Sequence, residues 1–123
     1  MQNVVNINNV CSLEFSVVVN LLHEIYCKEV PEIDTTHPAN LPKLEQLMIF
    51  FSNQYAYMAE LWGTVLHYVR SLKRTGGDKD SIDDNMAKRD YLEKVMSATK
   101  LKYYACSRLL MYHAKQGGGS DSI

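Results

Sequence analysis

Leu44, Phe51, Met58, Val65 and Leu72 stand seven residues apart, and no other feature of the chain restricts its fold so tightly. Leu47, Leu61 and Tyr68 fill the companion position three residues further on, interrupted once by Gln54. Seven residues are close to two α-helical turns, so side chains at this interval form a seam along one face. Met48, Tyr55, Trp62 and Val69 widen the seam by one more row. So long and wide a stripe belongs to a helix buried in a bundle or a thick coiled coil, not to one lying on a large globule. Its limits are marked by Asn40 at the N-cap, Pro42 in the first turn, and Gly76-Gly77 after a basic last turn of Arg70, Lys73 and Arg74. The spacing predicts a helix over 41–75. Gly63 weakens it locally and marks either a bend or the close approach of another backbone.

A second long helix is predicted over 80–116. Asp80 or Ser81 caps it, and Asp83 and Asp84 suit its first turn. Ile82, Met86, Leu92, Met96, Thr99, Tyr103, Cys106, Leu110 and His113 descend one face, interrupted by Arg89. A shorter helix over 12–30 rests on Phe15, Val18, Val19, Leu22, Ile25 and Tyr26, against the β-branched run Val17–Val19. Pro31 stops it, and Pro31 and Pro38 make 31–40 a linker. Residues 1–11, rich in Asn, read as an N-terminal arm, and 117–123 as a flexible polar tail. The loop from Thr75 to Lys79 is so short that the long helices must double back. The predicted fold is all-α: a long antiparallel, coiled-coil-like helical hairpin with a shorter N-terminal helix, in one helical domain over 12–116.

A two-helix hairpin cannot cover a three-row stripe on each arm. A second copy of the chain is the economical cover, with Leu44, Phe51, Met58, Leu61, Trp62 and Val65 as the expected self-association residues. The competing arrangement is a monomeric bundle closed by helix 12–30. The apolar share, 46% of residues, is enough for a core, and no apolar run approaches the roughly 18 residues that a membrane span needs.

Catalytic and metal-binding patterns are absent. His23, His37, His67 and His113 do not pair with one another at ligand spacing, and there is no HExxH. There is no G-x-S-x-G, P-loop or dinucleotide fingerprint. Asp83-Asp84 read as a helix cap, and Asp90 and Glu93, bracketed by Arg89 and Lys94, as solvated ion pairs. Cys11, Cys27 and Cys106 are odd in number and form no CxxC, and no signal-peptide pattern opens the sequence, so the expectation is reduced thiols in a cytoplasmic protein. No enzymatic activity, cofactor or metal is expected.

Charge is unevenly divided. Residues 1–66 carry seven acids and two bases, whereas 67–123 carry eleven bases and seven acids. Within 94–115 lie Lys94, Lys100, Lys102, Arg108 and Lys115 and no acid, interleaved with Tyr103, Tyr104 and Tyr112. Cations beside rings suit an acidic protein surface or a single-stranded nucleic acid, and a solvated face near a helix C-terminus uses the same residues. The expected partner-binding residues are Arg70, Lys73, Arg74, Lys94, Lys102, Tyr104 and Arg108. In size and build the chain resembles the small helical accessory proteins of phages and mobile elements, which act as adaptors, inhibitors or recombination mediators. The expected function is non-enzymatic protein–protein interaction as an adaptor, scaffold or inhibitor. The alternative is a single-stranded nucleic-acid-binding accessory or recombination mediator using 94–115.

Overall fold

The computed structural model describes residues 4–26 and 40–121, with helices α1 (Phe15–Tyr26), α2 (Leu41–Thr75) and α3 (Lys79–Asp121). Every regular element among the described residues is α-helical, and α2 and α3 pack against each other along their length. The predicted helix over 41–75 is present with the predicted bounds. The helix predicted over 12–30 begins at Phe15, and its expected end at 27–30, like the linker over 31–39, lies outside the described residues.

Two departures concern helix ends. α3 begins at Lys79, and the cap is Asp78 rather than Asp80 or Ser81: its carboxylate accepts the Ser81 N–H at 3.2 Å. At the other end α3 runs to Asp121, through the glycines assigned to a tail beginning at 117. Each glycine costs about 1 kcal/mol relative to alanine, but extending an existing helix adds a hydrogen bond per residue and no proline intervenes. The turn between α2 and α3 matches its glycines. Gly76 adopts φ +70°, and the Gly77 N–H bonds Leu72 O at 2.7 Å. Gly76→Ala forces a Cβ into the left-handed region and is expected to lower stability by about 1–2 kcal/mol in urea denaturation.

The seam read from α2 is the core. Leu44, Phe51, Met58, Leu61, Val65 and Val69 are buried, and so is Gln54, the break in the pattern. Its counterpart on α3 is a second heptad, Asn85, Leu92, Thr99 and Cys106, with Lys88 beside it. Leu44 and Phe51 cluster with Tyr103, Cys106, Leu109 and Leu110, while Met58, Leu61, Val65 and Val69 cluster with Ile82, Met86, Leu92 and Met96.

The N-terminal arm is not loose. Residues 7–13 form successive turns, and Val5 and Val10 are as buried as Val18 and Leu22 of α1. Together they cover one flank of the α2–α3 pair, which alternating Val and Asn over so few residues did not reveal. The Tyr57 hydroxyl donates to Val5 O, and Cys11 Sγ lies 3.9 Å from Thr64 O. Lys88 Nζ donates to Cys11 O and Asn85 Oδ1, both at 3.2 Å, and pairs with Asp84 Oδ2 at 2.8 Å. The other Asp84 oxygen accepts the Phe15 N–H at 3.1 Å, so the first turn of α1 is capped from α3. Asp84 therefore serves α1 rather than the first turn of its own helix.

Five of the six expected self-association residues, Leu44, Phe51, Met58, Leu61 and Val65, are enclosed within the chain. Their cover is the α3 seam and, toward the turn, the segment from Val5 to Leu22. In the row of Met48, Tyr55 and Trp62, Tyr55 is exposed and the other two are half-buried; Ile49, Phe50 and Tyr68 are further exposed apolar side chains of α2. Gly63 meets no second backbone: a Cβ there would find nothing within 4 Å. Gly63→Ala is expected to raise stability by about 1 kcal/mol through helix propensity, read as a higher denaturation midpoint.

Candidate functional site

Helical geometry decides which flank of the pair stays open. Tyr57 and Thr64, the α2 contacts of the N-terminal segment, are seven residues apart and share a side. Tyr55 and Trp62 are each two residues earlier, about 200° away around the helix. Their row, with Met48, Ser52 and Ala59, faces a groove that the described N-terminal segment does not enter.

Three adjoining cavities line this groove. The central one, of about 210 Å³, lies between Phe51, Ser52 and Tyr55 of α2 and Lys100, Tyr103 and Tyr104 of α3. It shares Ser52 and Tyr103 with a cavity reaching Glu45, Met48 and Leu110, and Tyr55 and Lys100 with one reaching Trp62, Gly63, Glu93 and Met96. From Met48 to Gly63 the groove runs about 22 Å at 1.5 Å per residue. Apolar and aromatic side chains dominate it, and Lys100 is the cation at its middle, with Nζ 5.9 Å from the centre of the Tyr104 ring. At one end the Trp62 indole N–H donates to Glu93 Oε1 at 3.0 Å, so Glu93 has a partner within the groove. Glu45 lies at the other end.

α3 distributes the expected basic residues around its circumference. Lys100, Tyr104 and Arg108 are four residues apart and form one exposed stripe beside the groove. Lys102 is two residues from Lys100, so it leaves on another side, where its Nζ sits 5.9 Å from the Phe51 ring centre. Lys94 is exposed and lines none of the three cavities. Arg70, Lys73 and Arg74 are exposed near the turn, whereas Lys94 is already fifteen residues from the start of α3, about 22 Å away. The seven residues therefore do not form one face. Of the expected residues, Tyr104 lines the groove, Arg108 lines none of its cavities, and Trp62, expected at a self-contact, lines the groove as well.

Lys100, Tyr55 and Tyr103 carry the site, and none of the three stood among the expected binding residues. Tyr55 is 36% exposed. The legible signal was the third row of the α2 stripe, which was read as surface for a second copy. The chain matches no known family model, no curated protein and no solved structure.

Chemistry-bearing side chains do not converge here. Among the described residues no group of three or more His, Cys, Asp or Glu is placed to hold a metal, and no helix is long and apolar enough to cross a membrane. Burial raises the thiol pKa of Cys11, against a smaller lowering by Lys88, and burial raises that of Cys106. Asp90 pairs with Arg89 at 3.0 Å on the surface, as expected of a solvated ion pair. The raised thiols give stability a pH dependence. A thiol with a raised folded-state pKa ionises first in the unfolded chain, so its contribution is whole at lower pH. That contribution fades above about pH 8.5, where an unperturbed thiol loses its proton. The melting temperature is expected to fall as pH rises above about 8.5, and less so in a Cys11→Ala, Cys106→Ala variant measured against its own neutral-pH value.

Proposed function

We propose that this chain is a non-enzymatic protein-binding module, an antiparallel coiled-coil-like hairpin of α2 and α3 that offers its open groove to an acidic surface of another protein. The hairpin reading rests on the short turn at Gly76-Gly77 and on the pairing of early α2 with late α3 and late α2 with early α3. The binding reading rests on one observation above all. Tyr55, Trp62, Tyr103 and Tyr104 line a groove with Lys100 at its centre, and nothing among the described residues fills it. Aromatic side chains supply most of the binding energy at protein interfaces. Lys100 at the middle of the groove draws an acidic group, with Glu45 and Glu93 confined to the two ends.

Single-stranded nucleic acid fits less well. It needs a track of cations along the backbone and successive rings for the bases. Here Lys100 alone lines the cavities as a cation, and Met48, Ala59, Met96 and Leu110 offer neither stacking nor phosphate contacts. An adaptor, scaffold or inhibitor acts by occupying such a surface, and no covalent chemistry is required.

Site-specific photocrosslinking in the native host tests the reading. A photoreactive phenylalanine analogue at position 55 is expected to give a nuclease-resistant adduct with an acidic protein. The same analogue at the exposed Val17 of α1 gives none, and Lys100→Glu abolishes the adduct at 55. A nuclease-sensitive adduct at 55 establishes nucleic acid instead. Equal labelling from 55 and 17 removes the groove from the functional account.

A further inference from the structure

We infer that the occupant of the groove is a single amphipathic α-helix of a partner protein, about four turns long, docked alongside α2 and α3 as a third helix with an acidic edge toward Lys100. This inference rests on the protein-binding reading and gives it a shape.

Shape is the first argument. A groove between two packed helices, about 22 Å long, matches some fifteen residues of helix. Its cavities lie in line between a heptad row of α2, Met48, Tyr55 and Trp62, and the facing row of α3. That is the arrangement into which a third helix places side chains at three- and four-residue spacing. The central cavity, about 210 Å³, exceeds the roughly 150 Å³ that holds a benzene-sized ring. It therefore takes one Phe, Leu or Trp anchor of the incoming helix.

Charge is the second argument, and it separates a foreign helix from a second copy of this chain. In a twofold dimer whose axis crosses the middle of this groove, the residues there meet their own copies. Those residues are Tyr55 and Lys100, so two lysines would face each other across a desolvated contact. Like charges so placed oppose association. A helix with Glu or Asp on one edge gives Lys100 its counterion. Glu93, already bonded to the Trp62 indole, and Glu45 lie at the two ends and leave the middle basic.

The test is selection from a display library of four-turn peptides on the full-length protein. Recovered binders are then measured by fluorescence anisotropy and by the emission of Trp62, the single tryptophan of the chain. Binders are expected to be helical when bound, to carry apolar residues at three- and four-residue spacing, and to have an acidic edge. They should shift the Trp62 emission. Lys100→Glu, an exposed change that leaves the helical circular dichroism intact, is expected to weaken them at least tenfold. Replacing the acidic edge with lysines is expected to restore binding to that variant. Binders with no acidic edge, binders indifferent to Lys100→Glu and to Tyr55→Glu, or failure to recover any binder would each overturn the inference. The broader reading fails separately: a protein adduct at position 55 with no helical binder retires the helix and keeps the binding role, whereas absence of any groove-specific adduct retires both.

Discussion

Asp84→Ala is expected to destabilise the protein by about 3 kcal/mol, more than Lys88→Met at the other end of the same ion pair. Lys88 is fully buried, and its ammonium is held by three acceptors: Asp84, Asn85 Oδ1 and Cys11 O. Removing the carboxylate leaves a buried cation with only neutral partners. It also deprives the Phe15 N–H of its acceptor at the start of α1. Methionine at 88 keeps most of the volume and removes the charge itself. Asp84, whose side chain is 35% exposed, then turns to water and retains its bond from Phe15. The remaining loss is the unsatisfied Cys11 and Asn85 acceptors, about 1–2 kcal/mol. The double variant should recover part of the Asp84→Ala loss, because the orphaned charge is gone. Urea denaturation of the three variants reads this directly. Equal losses in both single variants would mean that the cation does not depend on its carboxylate.

The same cluster shows where the sequence was silent. Hydrophobic periodicity located α2 to the residue because its seam is Leu, Phe, Met and Val at seven-residue steps. The matching seam of α3 is Asn85, Leu92, Thr99 and Cys106 flanked by Lys88; the face read from the sequence includes Leu92, Thr99 and Cys106 and passes over Asn85 and Lys88. Ile82, Met86, Met96, Tyr103 and Leu110, read as part of the same face, are half-buried and lie one row aside. A buried lysine looks like a surface lysine until its acceptors are in place, and Cys11 O is contributed from seventy-seven residues away. The burial of Val5 and Val10 depended on the same long-range contacts. Turn chemistry was more legible: Gly76-Gly77 signalled the end of α2, and only the cap residue at the start of α3 was misplaced.

The site was half legible for a related reason. The third row of α2 was visible as surplus apolar surface, and surplus surface calls for a cover without naming it. Whether Tyr55 belonged to the interior or to a groove turned on which flank the N-terminal segment would occupy. The bases of 94–115 were visible as a run along the chain. A run along a helix becomes a face only at intervals of three or four, which joins Lys100 to Tyr104 and Arg108 and parts both from Lys102.

Leu61→Asp and Tyr55→Asp, six residues apart on one helix, are expected to have opposite consequences. Leu61 is fully buried against the N-terminal segment and α3. Truncating a buried leucine alone costs about 2–5 kcal/mol, and an unpaired carboxylate in the same space adds several more. The sum rivals the whole stability of a typical domain, about 5–15 kcal/mol, so Leu61→Asp is expected to abolish the helical circular dichroism. Tyr55 borders solvent in the groove, and an aspartate there can remain hydrated. The expected cost to folding is about 1 kcal/mol, with the helical signal retained. Binding should nevertheless fail, because the ring lining two of the three cavities is lost and a negative charge stands where an acidic partner would approach. Light scattering completes the comparison. With the groove reserved for a foreign helix, wild type and Tyr55→Asp have the same mass in solution. A wild-type dimer that Tyr55→Asp splits into folded monomers would instead show that a second copy of the chain covers Met48, Tyr55 and Trp62, and the lysine-facing-lysine argument against it would be wrong.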